Sequence, residues 1–314
     1  MAVFRELTED DARAACTAWQ LGEFVSVAPT AQGIENSNFF LTSARKGQQH
    51  EWVLTLGNAE FPTTTLDTLV RLDAAGLPVP VPLRHRSGAR SGRIAGAPAL
   101  LAPRFPGSHP DRPDIDQCAA IGRFLARMHL ATAGVGGPDH PRDAAWIAAR
   151  VAHHGPRLGA EEQARLAAAQ RVLASVAERR DWKQLPAGLV HGDLFRDNAL
   201  FDRGGLRAVI DFHHTARAAL LFDLAVAAND WCSHPNGRLD GDRLRGIIRG
   251  YAGLRPLTRE ERWMWPVMTL LAALRFWLAR LDSPRKPPQE MGRLLDWRLR
   301  EAAPLSPALT DTAA

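Results

Sequence analysis

Asp193, Asn198 and Asp211 are the residues of this sequence whose types and spacing could do chemistry together. The first two stand in His191-Gly192-Asp193-Leu194-Phe195-Arg196-Asp197-Asn198, after the apolar pair Leu189-Val190, and the third follows Val209-Ile210. The pattern reads as an apolar strand, a polar loop, and two more short strands with Gly204-Gly205 turning between them. The three oxygen side chains would then project from neighbouring strand ends or loops. Mg2+ takes such carbonyl and carboxylate oxygens together with phosphate oxygens, and a carboxylate beside it could accept a proton from an attacking hydroxyl. The grouping suits phosphoryl transfer. A hairpin with Asp and Asn at turn positions is the plainer alternative for any one of these residues.

The elements that must position this loop follow from periodicity. Thr8 caps a helix whose first turn carries Glu9, Asp10 and Asp11 and which runs to about Gln20. Runs at Phe24 to Val27, Asn38 to Thr42 and Glu51 to Leu56, with Lys46-Gly47 turning before the last, make an antiparallel meander. Between its first two strands, Gln32 to Asn38 is a turn whose amides can face an anion. Gly33, Asn36, Ser37 and Asn38 are its candidate nucleotide contacts, and a plain hairpin loop is the alternative. Pro62 to Ala75 is helical by spacing and ends at Gly76, and two further short strands fall at Arg93 to Ile94 and Ala99 to Ala102.

Pro103 to Ser108 is rich in chain breakers and marks a hinge. Beyond it helices dominate: from Asp114, over Arg142 to Ala152, Glu161 to Arg179, Leu220 to Trp231, Asp240 to Tyr251, Thr258 to Leu281 and Glu290 to Glu301. The expected organisation is a β-rich N-terminal lobe over 1–103, a linker over 104–113, a helical lobe over 114–303 that carries the loop, and a tail over 304–314. The fold class is α+β with two lobes, and a ligand is expected in the cleft between them.

Composition narrows the function classes. The 314 residues are 46% hydrophobic and 23% charged, ordinary for a soluble globular chain. The net charge of +5 comes from arginines scattered through helices and loops, with no dense basic block, so no nucleic-acid role is expected. Cys16, Cys118 and Cys232 show no metal-ligand or disulfide spacing and fit a reducing cytoplasm. No secretory signal is read at Met1 to Glu6, and the apolar run Trp263 to Leu274 is broken by Pro266, which argues against a membrane span.

His-x-Asp-x-x-x-x-Asn followed by Asp-Phe resembles the catalytic loop and metal-binding aspartate of protein kinases, and His-Gly-Asp resembles the small-molecule branch that includes aminoglycoside and choline kinases. Five further blocks complete the likeness: Gly33-Ile34-Glu35-Asn36-Ser37-Asn38-Phe39-Phe40, Val53-Leu54-Thr55-Leu56, Gly76-Leu77-Pro78-Val79-Pro80, Asn229-Asp230-Trp231-Cys232 and Leu274-Arg275-Phe276-Trp277-Leu278. With them the chain resembles the protein-kinase-like homoserine kinases. That resemblance implies a protein-kinase-like fold, ATP and Mg2+, and transfer of the γ-phosphoryl group to the hydroxyl of L-homoserine, a step of threonine biosynthesis. It implies Asp193 as base, Asn198 and Asp211 as metal ligands, and Asp223 as the buried acid holding the loop backbone. Asp230 could pair with the substrate ammonium or be an ordinary helix-end acid. Arg275, in an otherwise apolar helix, could grip the substrate carboxylate or form a structural salt bridge.

Thr55 stands where most kinases place a phosphate-holding lysine, and Lys46, Lys183 and Lys286 are the only lysines. Thr55 therefore joins the candidate nucleotide contacts, and the missing lysine keeps a weakly catalytic nucleotide-binding module in view. Gly57-Asn58 and Thr63-Thr64-Thr65 depart from the family pattern in ways that bear on the acceptor. A kinase of another small hydroxylated amine, an aminoglycoside or a choline-like alcohol, is thus the second reading. Oligomeric state is left open.

Overall fold

The computed structural model describes residues 6–30, 36–282 and 289–302. Gly33 lies outside these residues, as do Pro284, Pro287, Pro288 and the tail. The chain divides into two compact units. One comprises Met1–Gly107 with Arg207–Ile210, and the other Ser108–Leu206 with Asp211–Ala314. The division falls within the breaker-rich stretch before the long helices. Residues 207–210 join the first unit, where the Val209 amide donates to the Pro78 carbonyl.

The first unit is a five-stranded antiparallel sheet with two helices. Helix α1 (Glu9–Ala18) starts at a capping box in which Thr8 and Asp11 exchange hydrogen bonds, and it stops just short of Gln20, whose φ is +55°. Strands β1 (Glu23–Pro29), β2 (Ser37–Arg45), β3 (Gln48–Leu56), β4 (Gly92–Ile94) and β5 (Ala97–Pro103) lie in the order β1-β2-β3-β5-β4. The β2–β3 hairpin turns at Lys46 and Gly47, both at positive φ, as the sequence predicts. Alternation along the strands puts Phe39, Leu41, Leu54, Leu56 and Leu101 on one face, where they pack with Ala12, Ala15, Cys16 and Trp19 of the α1 region. Helix α2 (Thr63–Ala74) ends at Gly76, whose φ is +71°.

The second unit is mostly helical. It contains α3 (Ile115–Ala131), α4 (Ala144–His154), α5 (Ala160–Ala177), the short α6 (Arg180–Lys183), α7 (Leu220–Trp231), α8 (Gly241–Ala252), α9 (Arg259–Leu281) and α10 (Gln289–Ala302). Two small sheets interrupt the helices: β6 (Ala187–Val190) pairs antiparallel with β9 (Ala216–Ala219), and β7 (Ala199–Asp202) pairs with β8 (Gly205–Val209), whose residues from Arg207 on belong to the first unit. Helix α7 sits deepest, with every residue except Asp230 buried. Each large apolar side chain so buried contributes about 1.5–3 kcal/mol. Glycines let α3 and α8 approach: a Cβ on Gly122 would lie 2.0 Å from the Ile247 carbonyl oxygen, and one on Gly250 2.2 Å from that of Ala119.

Helix α9 has the length and apolar composition to cross a membrane, but 67% of its apolar window is buried inside the protein. Its first turn carries Glu261, which is fully buried and held by Arg255 at 2.9 Å. One strand and one α-helix are absent from the sequence reading. Strand β9 is alanine-rich with an arginine, a composition without strand preference that pairing with β6 stabilises, and α6 is a single turn.

Candidate active site

The loop from His191 to Asn198 links β6 to β7 and is folded around its own polar groups. The Asn198 side-chain amide donates to the Asp193 carbonyl at 2.8 Å and to its carboxylate at 3.3 Å, so the amide fixes the rotation of that carboxylate. The Asp193 backbone amide donates to His191 Nδ1 at 3.3 Å, and the His191 ring, fully buried, packs 4.7 Å from the Phe212 ring. A 3-10 turn over Arg196–Asn198 then delivers the chain into β7.

Three residues of α7 hold this loop. Asp223 accepts the backbone amides of His191 and Gly192, each at 2.7 Å. The Trp231 indole donates to the Leu194 carbonyl at 3.1 Å, and Asp230 accepts the Arg196 amide at 2.7 Å. Asp223 and Asp230 are seven residues apart, two helical turns, so one face of α7 presents both carboxylates to the loop. Behind Asp223 the chain of partners continues. His129 Nε2 lies 3.1 Å from its carboxylate, His129 Nδ1 lies 2.7 Å from the Tyr251 hydroxyl, and Arg255 donates to that hydroxyl at 3.0 Å. Burial drives the Asp223 carboxyl pKa up, yet His129, His191 and the Gly192 amide outweigh it and hold the pKa below the ordinary value.

Asp211 follows β8 in a left-handed conformation, φ +64° and ψ +66°, with its side chain 42% exposed. Such a backbone is costly for a residue other than glycine and turns the chain sharply at this carboxylate. As donors for Mg2+, Asn198 and Asp211 fit in kind. The Asn198 amide nitrogen is committed to Asp193, which leaves Oδ1 as its ligand atom, and Asp211 supplies a hard carboxylate. Among the described residues no three His, Cys, Asp or Glu side chains gather as a metal site, so an ion here would need phosphate oxygens to complete its shell.

In the first unit, Asn38 and Thr55 are directly paired across β2 and β3, and the Thr55 hydroxyl donates to the Asn38 side-chain oxygen at 2.7 Å. Ser37 is buried, at 4% exposure, and Asn36 lies just before β2. No lysine lies in β3. An arginine does reach this sheet: Arg104 stacks 3.9 Å from the centre of the Phe40 ring, but Glu51 already holds it at 2.7 Å.

Two cavities open in the second unit. One, of about 870 Å3, is lined by Asp111, Asp114, Arg196, Asn229, Asp230 and His234, among others. Asp230 and Arg196 form a double contact there, at 3.1 and 3.3 Å, and the Asp230 side chain is only 12% exposed. Burial raises the Asp230 carboxyl pKa, and Arg196 opposes the rise without cancelling it. The other cavity, of about 310 Å3, contains Arg275. Asp230 and Arg275, each read from the sequence as either a substrate contact or a structural group, line different cavities. Arg275 forms no salt bridge among the described residues. Its guanidinium lies 4.5 Å from the centre of the Phe222 ring, and its buried Nε has no hydrogen-bond partner. Burial, then Arg142, lowers its pKa to about 10 against the pull of Asp143.

Sequence reasoning missed Arg196 and Trp231 as partners of the loop. The seven-residue spacing of Asp223 and Asp230 was the signal that could have found the face they share.

Residues 26–257 match the model of a phosphotransferase enzyme family, APH. A homoserine kinase of Methylobacillus flagellatus is 38% identical over 287 residues, covering 90% of this chain and 88% of its own length. One of Pseudomonas aeruginosa is 38% identical over 285 residues, with the same coverage. Among solved structures, an amicoumacin kinase in complex with AMP-PNP, Ca2+ and Ami superposes with a TM-score of 0.69 at 16% identity, covering 96% of this chain and 94% of that one. A microcompartment-associated aminopropanol kinase gives 0.67 at 20% identity, with coverage of 97% and 98%. These likenesses show the protein-kinase-like α+β fold.

Proposed function

Because this chain belongs to the APH phosphotransferase enzyme family, we propose that it is a kinase that transfers the γ-phosphoryl group of ATP to the side-chain hydroxyl of L-homoserine, yielding O-phospho-L-homoserine for threonine biosynthesis. The observation that carries the reaction is the Asn198 amide holding the Asp193 carboxylate, an oriented base in a loop that α7 clamps at four backbone positions. The acceptor is carried by the 38% identity to homoserine kinases over nine-tenths of the chain.

In this reading Asp193 accepts the proton of the attacking hydroxyl, and Asn198 keeps its carboxylate from rotating away. Mg2+ held by Asn198, Asp211 and phosphate oxygens would supply neutralisation of the triphosphate charge. Gly33, Asn36, Ser37, Asn38 and Thr55 contact the nucleotide, with the Thr55 hydroxyl standing in for a lysine by hydrogen bonding without charge. The acceptor occupies the cavity beside Arg196 and Asp230, where an acid and a guanidinium side by side suit a zwitterion. Arg275 takes no part in holding it.

The acceptor cavity is far larger than homoserine requires and is rich in acids, which favours a second reading, a kinase of a larger aminated alcohol. An ADP-release assay with Mg-ATP against homoserine, serine, choline and an aminoglycoside separates the two. Homoserine is expected to turn over with the highest kcat/KM, and preference for the aminoglycoside would overturn the first reading. Turnover with none of them, despite nucleotide binding, would leave a binding module. The protein acts without nucleic acid or membrane, and its buried, unpaired cysteines suit the cytoplasm.

A further inference from the structure

The smaller cavity of the second unit is lined by Arg275 and two aspartates, Asp139 and Asp143, neither of which forms an ion pair with it. Arg275 projects from α9 among Leu271, Met268 and Phe222, and it makes no hydrogen bond or ion pair with any described residue. Its Nε is buried and unpartnered, and a buried N–H is costly unless something accepts its proton. The acids nearby are committed elsewhere: Asp143 caps α4 by accepting the Trp146 amide at 2.8 Å, and Asp139 faces Arg217 at 3.6 Å on the surface.

We infer that this cavity is a second ligand site, taking a small carboxylate with a short apolar tail, its carboxylate on the Arg275 guanidinium and its tail against Phe222, Met268 and Leu271. The planar fork of arginine matches the two oxygens of a carboxylate, and the volume of about 310 Å3 admits a molecule of amino-acid size.

The position of the site gives it a consequence. His140 packs edge-on to Phe222, with ring centres 5.4 Å apart, and its Nε2 would lie 3.4 Å from a Cβ on Gly192. Phe222 directly precedes Asp223, the acceptor of the Gly192 amide. A ligand on Arg275 thus touches the side chain that backs the catalytic loop, from a cavity that shares no lining residue with the one beside Asp230. The inference does not depend on which alcohol the enzyme phosphorylates.

Isothermal titration of the full chain with isovalerate, its neutral amide isovaleramide and inorganic phosphate tests it. Isovalerate should bind saturably at one site, with homoserine present or absent, and the amide should bind at least about tenfold more weakly. Arg275→Met should weaken isovalerate binding by about tenfold or more while circular dichroism and nucleotide binding stay unchanged. Should that variant not fold, Ala187→Trp, which fills the cavity rim from the start of β6, decides instead and should abolish binding. Absence of saturable isovalerate binding, equal binding of the amide, tighter binding of phosphate, displacement by homoserine, or unchanged affinity in the deciding variant would each overturn the proposal.

Discussion

The Asp223 carboxylate accepts the Gly192 amide at 2.7 Å, which ties α7 to the loop at a residue whose φ of +81° no other side chain adopts readily. Two of its other partners, the His191 amide and His129, converge on the same buried carboxylate, so a single side chain sets the loop's backbone and its depth. This contact separates what supports the loop from what reacts in it.

Replacing Asp223 by Asn should cost about 3–5 kcal/mol, because one amide oxygen cannot serve three donors and its NH2 faces other N–H groups. Its folded pKa lies below the ordinary 3.8, so the stabilisation is fully present above that value and is lost as pH falls through the depressed one. Melting curves of wild type and variant should therefore keep a constant gap from neutral pH down to the ordinary value and converge below it. A gap that closes at neutral pH would contradict an ionised Asp223.

Gly192→Ala tests the backbone of the same loop. The added Cβ would sit at positive φ and 2.9 Å from the His214 carbonyl oxygen. A loss of about 1–3 kcal/mol in urea denaturation is expected, with turnover falling further than nucleotide affinity.

Arg196→Ala removes the cation beside Asp230 and leaves a carboxylate that is 12% exposed with only the backbone amide of residue 196 as its partner. Since Arg196 is itself one-third exposed, about 1–3 kcal/mol is the expected loss at neutral pH. Burial already raises the Asp230 pKa, and loss of Arg196 raises it further, so protonation relieves the penalty. The deficit should shrink as pH falls through that raised value, read as a narrowing difference in Tm. A deficit that grows with acid would show that Asp230 is not the group left unpaired.

Asp193→Asn should retain ATP binding and lose about 100- to 10,000-fold in kcat, the range expected for one proton acceptor. Asp211→Ala should instead lose Mg2+-dependent nucleotide binding, measured by titration with and without the metal. Near-wild-type turnover in the first variant, or unchanged binding in the second, would remove those roles.

Much of the fold is legible in the sequence because its signals are local. Thr8 with Asp11, Lys46-Gly47, Gly76, and the caps Asp114 and Thr258 each mark an element end through contacts within a few residues. Strand β9 is not legible in this way: Ala216–Ala219 becomes a strand only because β6 lies beside it. The role of Arg196 is not legible for a related reason. It sits inside the motif, yet its partner Asp230 is 34 residues away on another element.

The sequence by itself determined the chemistry within reach: Asp193, Asn198 and Asp211 as oxygen donors near strand ends, and Asp223 as an acid that must find amide partners in an apolar helix. Only the tertiary structure decided which side chains meet. It joined Asp230 to Arg196, and it put Arg275 in a separate cavity. Periodicity assigns a residue to a face of its own helix, whereas the neighbour that face meets depends on how helices distant in sequence pack, and no short-range signal encodes that.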